Sequence, residues 1–347
     1  MRYSRVYIDA IGYELPPVVV TSAELEGRLK RFYDALRIPE GQLEALTGIV
    51  ERRWWDEGYP VSEGATAAAK QALASSNVRP EDLDVLIYAG VCRELFEPAT
   101  ACRVAAGVGV AEGAAVYDIS NACLGVLNGM IDIANRIELG QIRAGMVVSC
   151  ETAREINDIM IDRMLTSGTM ETFKESLATL TGGSGAVAML LTDGSFSPEK
   201  RRRLLGGVTQ TAPQFHALCR WGIEAIRPLG FHQFMATDSI AVLKHGVELG
   251  TRTWAAFLRK LGWMKDQIDK VICHQVGSGH RDTILQTLGI SLDKDFSTYT
   301  YLGNIGTVSL PLTAALAEDR DFLRPGDRVA FLGIGSGLNC LMLGLEW

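Results

Sequence analysis

A diverged internal repeat constrains the fold of this chain more than any other feature. In the first half, a helical run over Ser62–Ser76 leads into Pro80-Glu81-Asp82-Leu83-Asp84-Val85-Leu86-Ile87-Tyr88, an acidic turn followed by an apolar strand. In the second half, a helical run over Val242–Leu261 leads into Met264–Ile272, where Asp269-Lys270-Val271-Ile272 repeats the turn and the strand. The interval from Leu86 to Cys123 is close to that from Val271 to Asn304, and further apolar strands follow at Ala144–Ser149 and Arg328–Leu332. Strands that are apolar without alternation are buried on both faces. The repeat therefore predicts covered, mostly parallel sheets, two of them, stacked through shared helices.

At 347 residues the chain is too long for one ordinary core, which agrees with a fused pair. The predicted division is an N-terminal half over 1–195, a connecting or cap segment over 196–235 and a C-terminal half over 236–347. Within this, Glu155–Thr181 is read as partly an insertion and Gly185–Thr192 as the last core strand of the first half. The wider stretch Glu155–Phe234 does not match the repeat and is expected to form a cap or dimer contact. Its basic run Lys200-Arg201-Arg202-Arg203 is read first as a solvated turn, with a phosphate-facing role as the alternative.

Apolar residues make up 47% of the chain and charged residues 22%, the balance of a globular protein. A net charge of −7 argues against a general affinity for nucleic acid or anionic membranes. No apolar run reaches the roughly 20 residues of a membrane span. Met1-Arg2-Tyr3-Ser4-Arg5 does not open like a signal peptide, so a cytoplasmic protein is expected. Seven cysteines, mostly inside apolar runs, read as reduced thiols; none is paired at CxxC spacing, and no metal site is expected.

One cysteine differs from the rest in its setting. Val116-Tyr117-Asp118-Ile119-Ser120-Asn121-Ala122-Cys123-Leu124-Gly125 is a short strand running into a helix of small apolar residues. A free cysteine is most often a small buried hydrophobe. Cys123, however, is predicted to open a central helix, where unpaired N–H groups and the dipole favour a thiolate and can hold an oxyanion. His274 ends a buried strand in the mirror half. Asn304, between Gly303 and Gly306, occupies the repeat position equivalent to Cys123, where helix capping is the simpler reading. A cysteine nucleophile with His and Asn partners is an acyl-transfer constellation.

Several segments, in order, resemble one family: Thr47-Gly48-Ile49-Val50-Glu51-Arg52-Arg53, Glu97-Pro98-Ala99-Thr100-Ala101-Cys102, Asn121-Ala122-Cys123, His274-Gln275, Gly303-Asn304-Ile305-Gly306 and Gly333-Ile334-Gly335-Ser336-Gly337-Leu338. Together they resemble the thiolase-superfamily condensing enzymes of the ketoacyl-ACP synthase III branch. The resemblance implies an α/β thiolase-like fold, with two duplicated halves forming a layered αβαβα core. It implies that Cys123 is acylated, that His274 and Asn304 serve the condensing enolate, and that the backbone N–H groups of Cys123 and Ser336 form the oxyanion hole.

The chain departs from the usual His-Gln-Ala-Asn run at His274-Gln275-Val276-Gly277-Ser278-Gly279-His280, and has Glu97 where an aromatic residue is usual. These features, with Gly335-Ser336-Gly337-Leu338-Asn339-Cys340 and the terminal Trp347, are similar to the OleA-type enzymes. The similarity implies non-decarboxylative Claisen condensation of two long-chain acyl-CoA thioesters to a 2-alkyl-3-ketoacyl-CoA, with Glu97 supplied in trans as the base. The chemistry fits a carboxylate. A malonyl donor makes its enolate by losing CO₂, whereas an unactivated acyl-CoA must lose an α-proton to a base. The implied enzyme is a homodimer that uses acyl-CoA substrates and no cofactor, with an acyl carrier protein or downstream enzymes as further partners. The rival readings are decarboxylative condensation with malonyl-ACP, acyl transfer to an alcohol or amine, and a non-catalytic dimer partner.

Overall fold

The structure, a computed structural model, describes residues 1–197, 202–226 and 230–347. Its nine-stranded sheet consists of two halves that repeat one another. From the seam outward, the first half runs Tyr7–Glu14, Gly185–Thr192, Ala144–Glu151, Val85–Ala89 and Ala115–Ile119. The second runs Arg203–Thr211, Asn339–Glu346, Arg328–Gly335 and Lys270–Cys273. At its outer edge a single bridge from Val271 to Asp295 stands where the first half pairs Leu86 with Val116. Tyr7 pairs with Arg203 at the seam.

Alternation along the strands sorts side chains into layers. Val85, Ile87, Val147, Val187 and Met189 of the first half share a core with Ile272, Val329, Phe331, Leu341 and Leu343 of the second. Both sets pack on the helices Gly125–Glu138 and Ser309–Asp319, whose Val126, Leu127, Met130, Ile133, Leu310 and Leu312 are buried there. Burying side chains of this size stabilises by about 1.5–3 kcal/mol each. The intervening residues face outward. Leu86, Tyr88, Met146 and Val148 meet the helices Val61–Ala74 and Thr100–Val108. Val271, Cys273, Ala330 and Leu332 meet Ser239–Leu261 and Ser278–Leu288. Helix layer, first half of the sheet, helix pair, second half of the sheet and helix layer follow in order, which is the layered αβαβα core, with the two expected sheets joined into one through Tyr7 and Arg203.

Two expectations are corrected. The sheet is mixed: Val85–Ala89 runs parallel to both of its neighbours and Lys270–Cys273 to Arg328–Gly335, whereas the strands nearer the seam pair antiparallel. Apolar runs report burial on both faces, and helical layers bury both faces whichever way the strands point. The segment 196–235 is also not a cap throughout. Arg203–Thr211 is the counterpart of Tyr7–Glu14 and belongs to the core, so the second half begins there and not at 236. Of the basic run, Lys200 and Arg201 lie outside the described residues, and Arg202 is ion-paired with Glu318 at 2.7 Å. The remainder of the segment, Cys219–Ile226 and Gly230–Thr237, forms a two-stranded hairpin against the helices Arg154–Ser167 and Met170–Leu180. Among the described residues, no helix is long and apolar enough to cross a membrane.

Candidate active site

The strand-to-helix turns of the two halves open onto one cavity of about 800 Å³. Cys123, His274, Asn304 and Ser336 all line it. Its apolar walls include Ile156, Leu177, Trp221, Met235, Leu243 and Ile284, drawn from the inserted helices, the hairpin and the long helices of the second half. Sequence reasoning placed these four residues in one site, and the structure brings them together. Glu97 is different. It lies on the loop between Ala89 and Thr100, is exposed, and is not among the residues lining its own chain's cavity.

Cys123 stands on the turn from Asn121 to Leu124, two residues before the helix Gly125–Glu138 begins, with Ala122 at a φ of 45°. The first N–H groups of that helix are already engaged, Gly125 with the Ala122 carbonyl and Val126 with the Thr307 hydroxyl of the other half at 2.7 Å. The expected depression of the thiol pKa does not follow. Burial pushes Cys123 up to about 12, Cys219 and Glu151 add to the rise, and only its own backbone N–H opposes it. The thiol is therefore protonated at rest and needs a proton acceptor to attack. Beside it the backbone is close-packed: a Cβ on Gly335 would lie 3.4 Å from the Cys123 nitrogen. That approach puts the Ser336 turn against the Cys123 turn, as two oxyanion donors require.

The two turns are also tied by side chains. Asn339 Nδ2 donates to Asn121 Oδ1 at 3.0 Å and to the Ser336 carbonyl at 3.3 Å, and Asn121 Nδ2 donates to Asn128 Oδ1 at 2.8 Å. This ladder spans the two halves. Asn304 is fixed by its backbone, donating to the Thr181 carbonyl and accepting from Gly183 N–H, each at 2.9 Å. Its Oδ1 accepts Gly306 N–H at 3.0 Å, which leaves the amide N–H groups as donors to the cavity. Asn304 is therefore not the helix cap expected of it: the turn Gly306–Val308 is entered from Ile305 without a side-chain cap, and the Asn304 oxygen instead closes a local turn on Gly306. The segment Thr47–Arg53 braces this loop: Val50 N–H donates to the Thr300 carbonyl at 2.9 Å, and Ser184 N–H to the Arg53 carbonyl at 2.8 Å.

His274 follows the strand Lys270–Cys273, and its Nδ1 is buried without a hydrogen-bond partner among the described residues. Burial, with His280 adding to it, lowers its pKa to about 4, so the imidazole is neutral across the physiological range. A neutral imidazole can take a proton from a thiol or donate one N–H to an oxygen. Among the described residues no group of three or more His, Cys, Asp or Glu could hold a metal ion.

Sequence reasoning missed Glu151, His280 and the asparagine ladder. Glu151 ends the strand Ala144–Glu151, lines the cavity, and is held above the usual carboxylate range by burial, against the opposing bonds from Val91 and Cys92. A charge at the end of an apolar run reads as the start of a loop, which hid it. The only signal for the ladder was the presence of Asn121 and Asn339 within two of the motif runs.

The comparisons agree with this geometry. Residues 57–188 match the model of the thiolase N-terminal domain, and residues 258–347 match that of the 3-oxoacyl-[acyl-carrier-protein] synthase III C-terminal domain. Fold and site define a thiolase-fold condensing enzyme. The chain is 58% identical, with all of both chains covered, to an acyl-CoA:acyl-CoA alkyltransferase of Shewanella oneidensis, and 35% identical over equal coverage to one of Xanthomonas campestris. Solved structures of Xanthomonas campestris OleA superpose on it with a TM-score of 0.94, at 35% identity, covering 100% of this chain and 98% of the other. They include forms altered at a glutamate, a cysteine or a histidine, and others bound to cerulenin or to lauric acid and lauroyl-CoA. The chain belongs to the acyl-CoA:acyl-CoA alkyltransferase family.

Proposed function

We propose that this enzyme joins two long-chain acyl-CoA thioesters by a non-decarboxylative Claisen condensation, with Cys123, His274, Asn304 and a glutamate from a second subunit in the roles that follow. His274 takes the Cys123 proton, and the thiolate attacks the first thioester carbonyl. The tetrahedral oxyanion rests on the N–H groups of Cys123 and Ser336, and CoA leaves as its thiol with the proton that His274 returns. The second acyl-CoA then enters. Its carbonyl oxygen lies against Asn304 and the neutral His274, and Glu97 of the partner subunit removes the α-proton. The enolate carbon attacks the acyl-cysteine; a C–C bond forms, the C–S bond breaks with its electron pair on the Cys123 sulfur, the proton held by Glu97 returns through the site to that sulfur, and a 2-alkyl-3-ketoacyl-CoA is released.

The convergence of Cys123, His274, Asn304 and the Ser336 turn on one apolar cavity carries this reading. Acyl-CoA:acyl-CoA alkyltransferase is the activity named for both relatives, and the residue types altered in the solved OleA structures are those given these roles. The loop tip supports a homodimer: Phe96, next to Glu97, is 94% exposed in the single chain and is suited to burial against a second copy. We place the enzyme in the cytoplasm, working without a cofactor on CoA thioesters, with an acyl carrier protein or downstream enzymes as a further partner.

The test is Glu97→Gln. The variant should still become acylated on Cys123, seen by intact-protein mass spectrometry, while condensation of two acyl-CoAs falls by on the order of 10²–10⁴. Condensation at the wild-type rate would remove Glu97 as the base. Release of CO₂ from malonyl-CoA in preference to acyl-CoA condensation would transfer the reading to the decarboxylative reaction.

A further inference from the structure

The loop between Val85–Ala89 and Thr100–Val108 is pinned along its length and released at its tip. At its root the Glu151 carboxylate accepts Val91 N–H at 2.9 Å and Cys92 N–H at 3.0 Å, and Tyr88 Oη donates to the Cys92 carbonyl at 2.7 Å. In its middle Glu94 accepts from the Ser62 hydroxyl at 2.6 Å and pairs with Arg103 at 2.9 Å. At its end Asp118 accepts the N–H groups of Thr100 and Ala101 at 3.0 and 2.8 Å. Between these anchors Leu95, Phe96, Glu97 and Pro98 stand exposed.

Of the three carboxylates that hold the loop, Glu151 alone also lines the cavity. It is buried, and its Cγ lies 3.6 Å from where a Cβ on Gly306 would stand, beside Asn304. One side chain thus touches both the subunit's own site and the root of the segment it sends outward. We propose that Glu151 is a positioning residue for the partner's site, fixing the root of this loop so that Glu97 reaches the second substrate bound in the neighbouring subunit. The inference rests on the reading of Glu97 as a base supplied in trans.

The chemistry selects a carboxylate here. Two adjacent N–H groups need two acceptors, and Glu151 offers one oxygen to each. A glutamine offers one oxygen and turns its own N–H groups toward the second donor, leaving a backbone N–H unpaired. A base displaced by about 1 Å costs on the order of 10² in rate.

Mixed dimers of differently tagged subunits test the assignment, with Cys123→Ala marking the subunit whose own site is silent. With Glu151→Gln on the silent subunit, the competent Cys123 receives a loosened loop, and condensation should fall by on the order of 10². With Glu151→Gln on the subunit that keeps its cysteine, the loop supplied is intact and only that subunit's own cavity is altered, so condensation should fall clearly less than in the first arrangement. The competent cysteine should acylate in both. Loss only in the second arrangement, equal loss in both, or loss in neither overturns the proposal. Glu151→Asp in the same arrangements should show the same asymmetry, which guards against a glutamine variant that folds poorly. Glu97→Gln in the same two arrangements tests the underlying reading separately. Loss only from the silent subunit supports supply in trans, and loss only from the other sinks that reading whatever Glu151 does.

Discussion

The second half ends the strand Lys270–Cys273 in His274 and turns almost at once into the helix Ser278–Leu288. The first half ends the equivalent strand Val85–Ala89 in Gly90 and runs outward through Leu95-Phe96-Glu97 before the helix Thr100–Val108 begins. The turns at Cys123 and Asn304 differ in a related way. The Cys123 turn presents a thiol and backbone N–H groups against Gly335, whereas the Asn304 turn spends its backbone on Thr181 and Gly183 and presents an amide. A duplicated frame aims two turns at one cavity. On the proposed reading the halves then divide the work: the first supplies the nucleophile and the loop that reaches outward, and the second supplies the proton acceptor, one oxyanion donor and the groups that meet the enolate.

This division can be broken by substitution. Cys123→Ala should abolish the acyl-enzyme, because no other group in the cavity is proposed to carry the acyl chain. An adduct persisting in intact-protein mass spectrometry would place the nucleophile elsewhere. The two second-half residues should then separate from each other. Asn304→Ala should acylate normally and lose on the order of 10²–10³ in condensation, as expected for one lost donor to a developing oxyanion. His274→Ala should be slowed in both half-reactions, since the neutral imidazole is asked to accept the thiol proton as well. Equal acylation rates in the two variants, measured by stopped acyl-CoA consumption, would relieve His274 of the first role.

The layering and three residues of the site, Cys123, His274 and Asn304, were legible because they are written in local patterns: apolar strands, acidic turns, and small residues around Cys123 and Asn304; Ser336 was legible only through the family resemblance. The sequence did not carry the strand Arg203–Thr211. Gly206 and Gly207 interrupt its apolar pattern, and Gly207 is needed where a Cβ would stand 2.2 Å from the Met342 carbonyl oxygen. Nor did it carry the state of the thiol. Position at a helix N-terminus is a local fact, but burial against Cys219 and Glu151 is assembled from distant segments, and burial prevails. Glu97 was legible only as a motif residue, since a single chain shows where it leaves and not where it arrives.

The pH dependence of Cys123 sharpens the same contrast, because Asn304, its counterpart, does not titrate. With the thiol pushed up to about 12, the thiolate fraction should climb roughly tenfold per pH unit between about pH 7 and 10, without the plateau of an ordinary thiol near 8.5. Alkylation by iodoacetamide, followed on the Cys123 peptide so that exposed Cys102 does not contribute, measures that slope. A plateau below pH 8 would show a thiolate stabilised by the helix after all.

The smallest effect is expected at the seam between the two turns. Asn339→Ala removes the donor shared by Asn121 Oδ1 and the Ser336 carbonyl, the side-chain link that holds the two proposed oxyanion donors in register across the halves. Both acceptors are only partly buried at this end of the cavity, so water can replace part of what is lost. The cost in stability should be about 1–2 kcal/mol by chemical denaturation. Acylation should slow several-fold, because the oxyanion is formed first in that step, and condensation should slow with it, since attack on the acyl-cysteine uses the same hole. Slowing of condensation alone would mean that the ladder serves the Asn304 side of the site and not the Cys123 side.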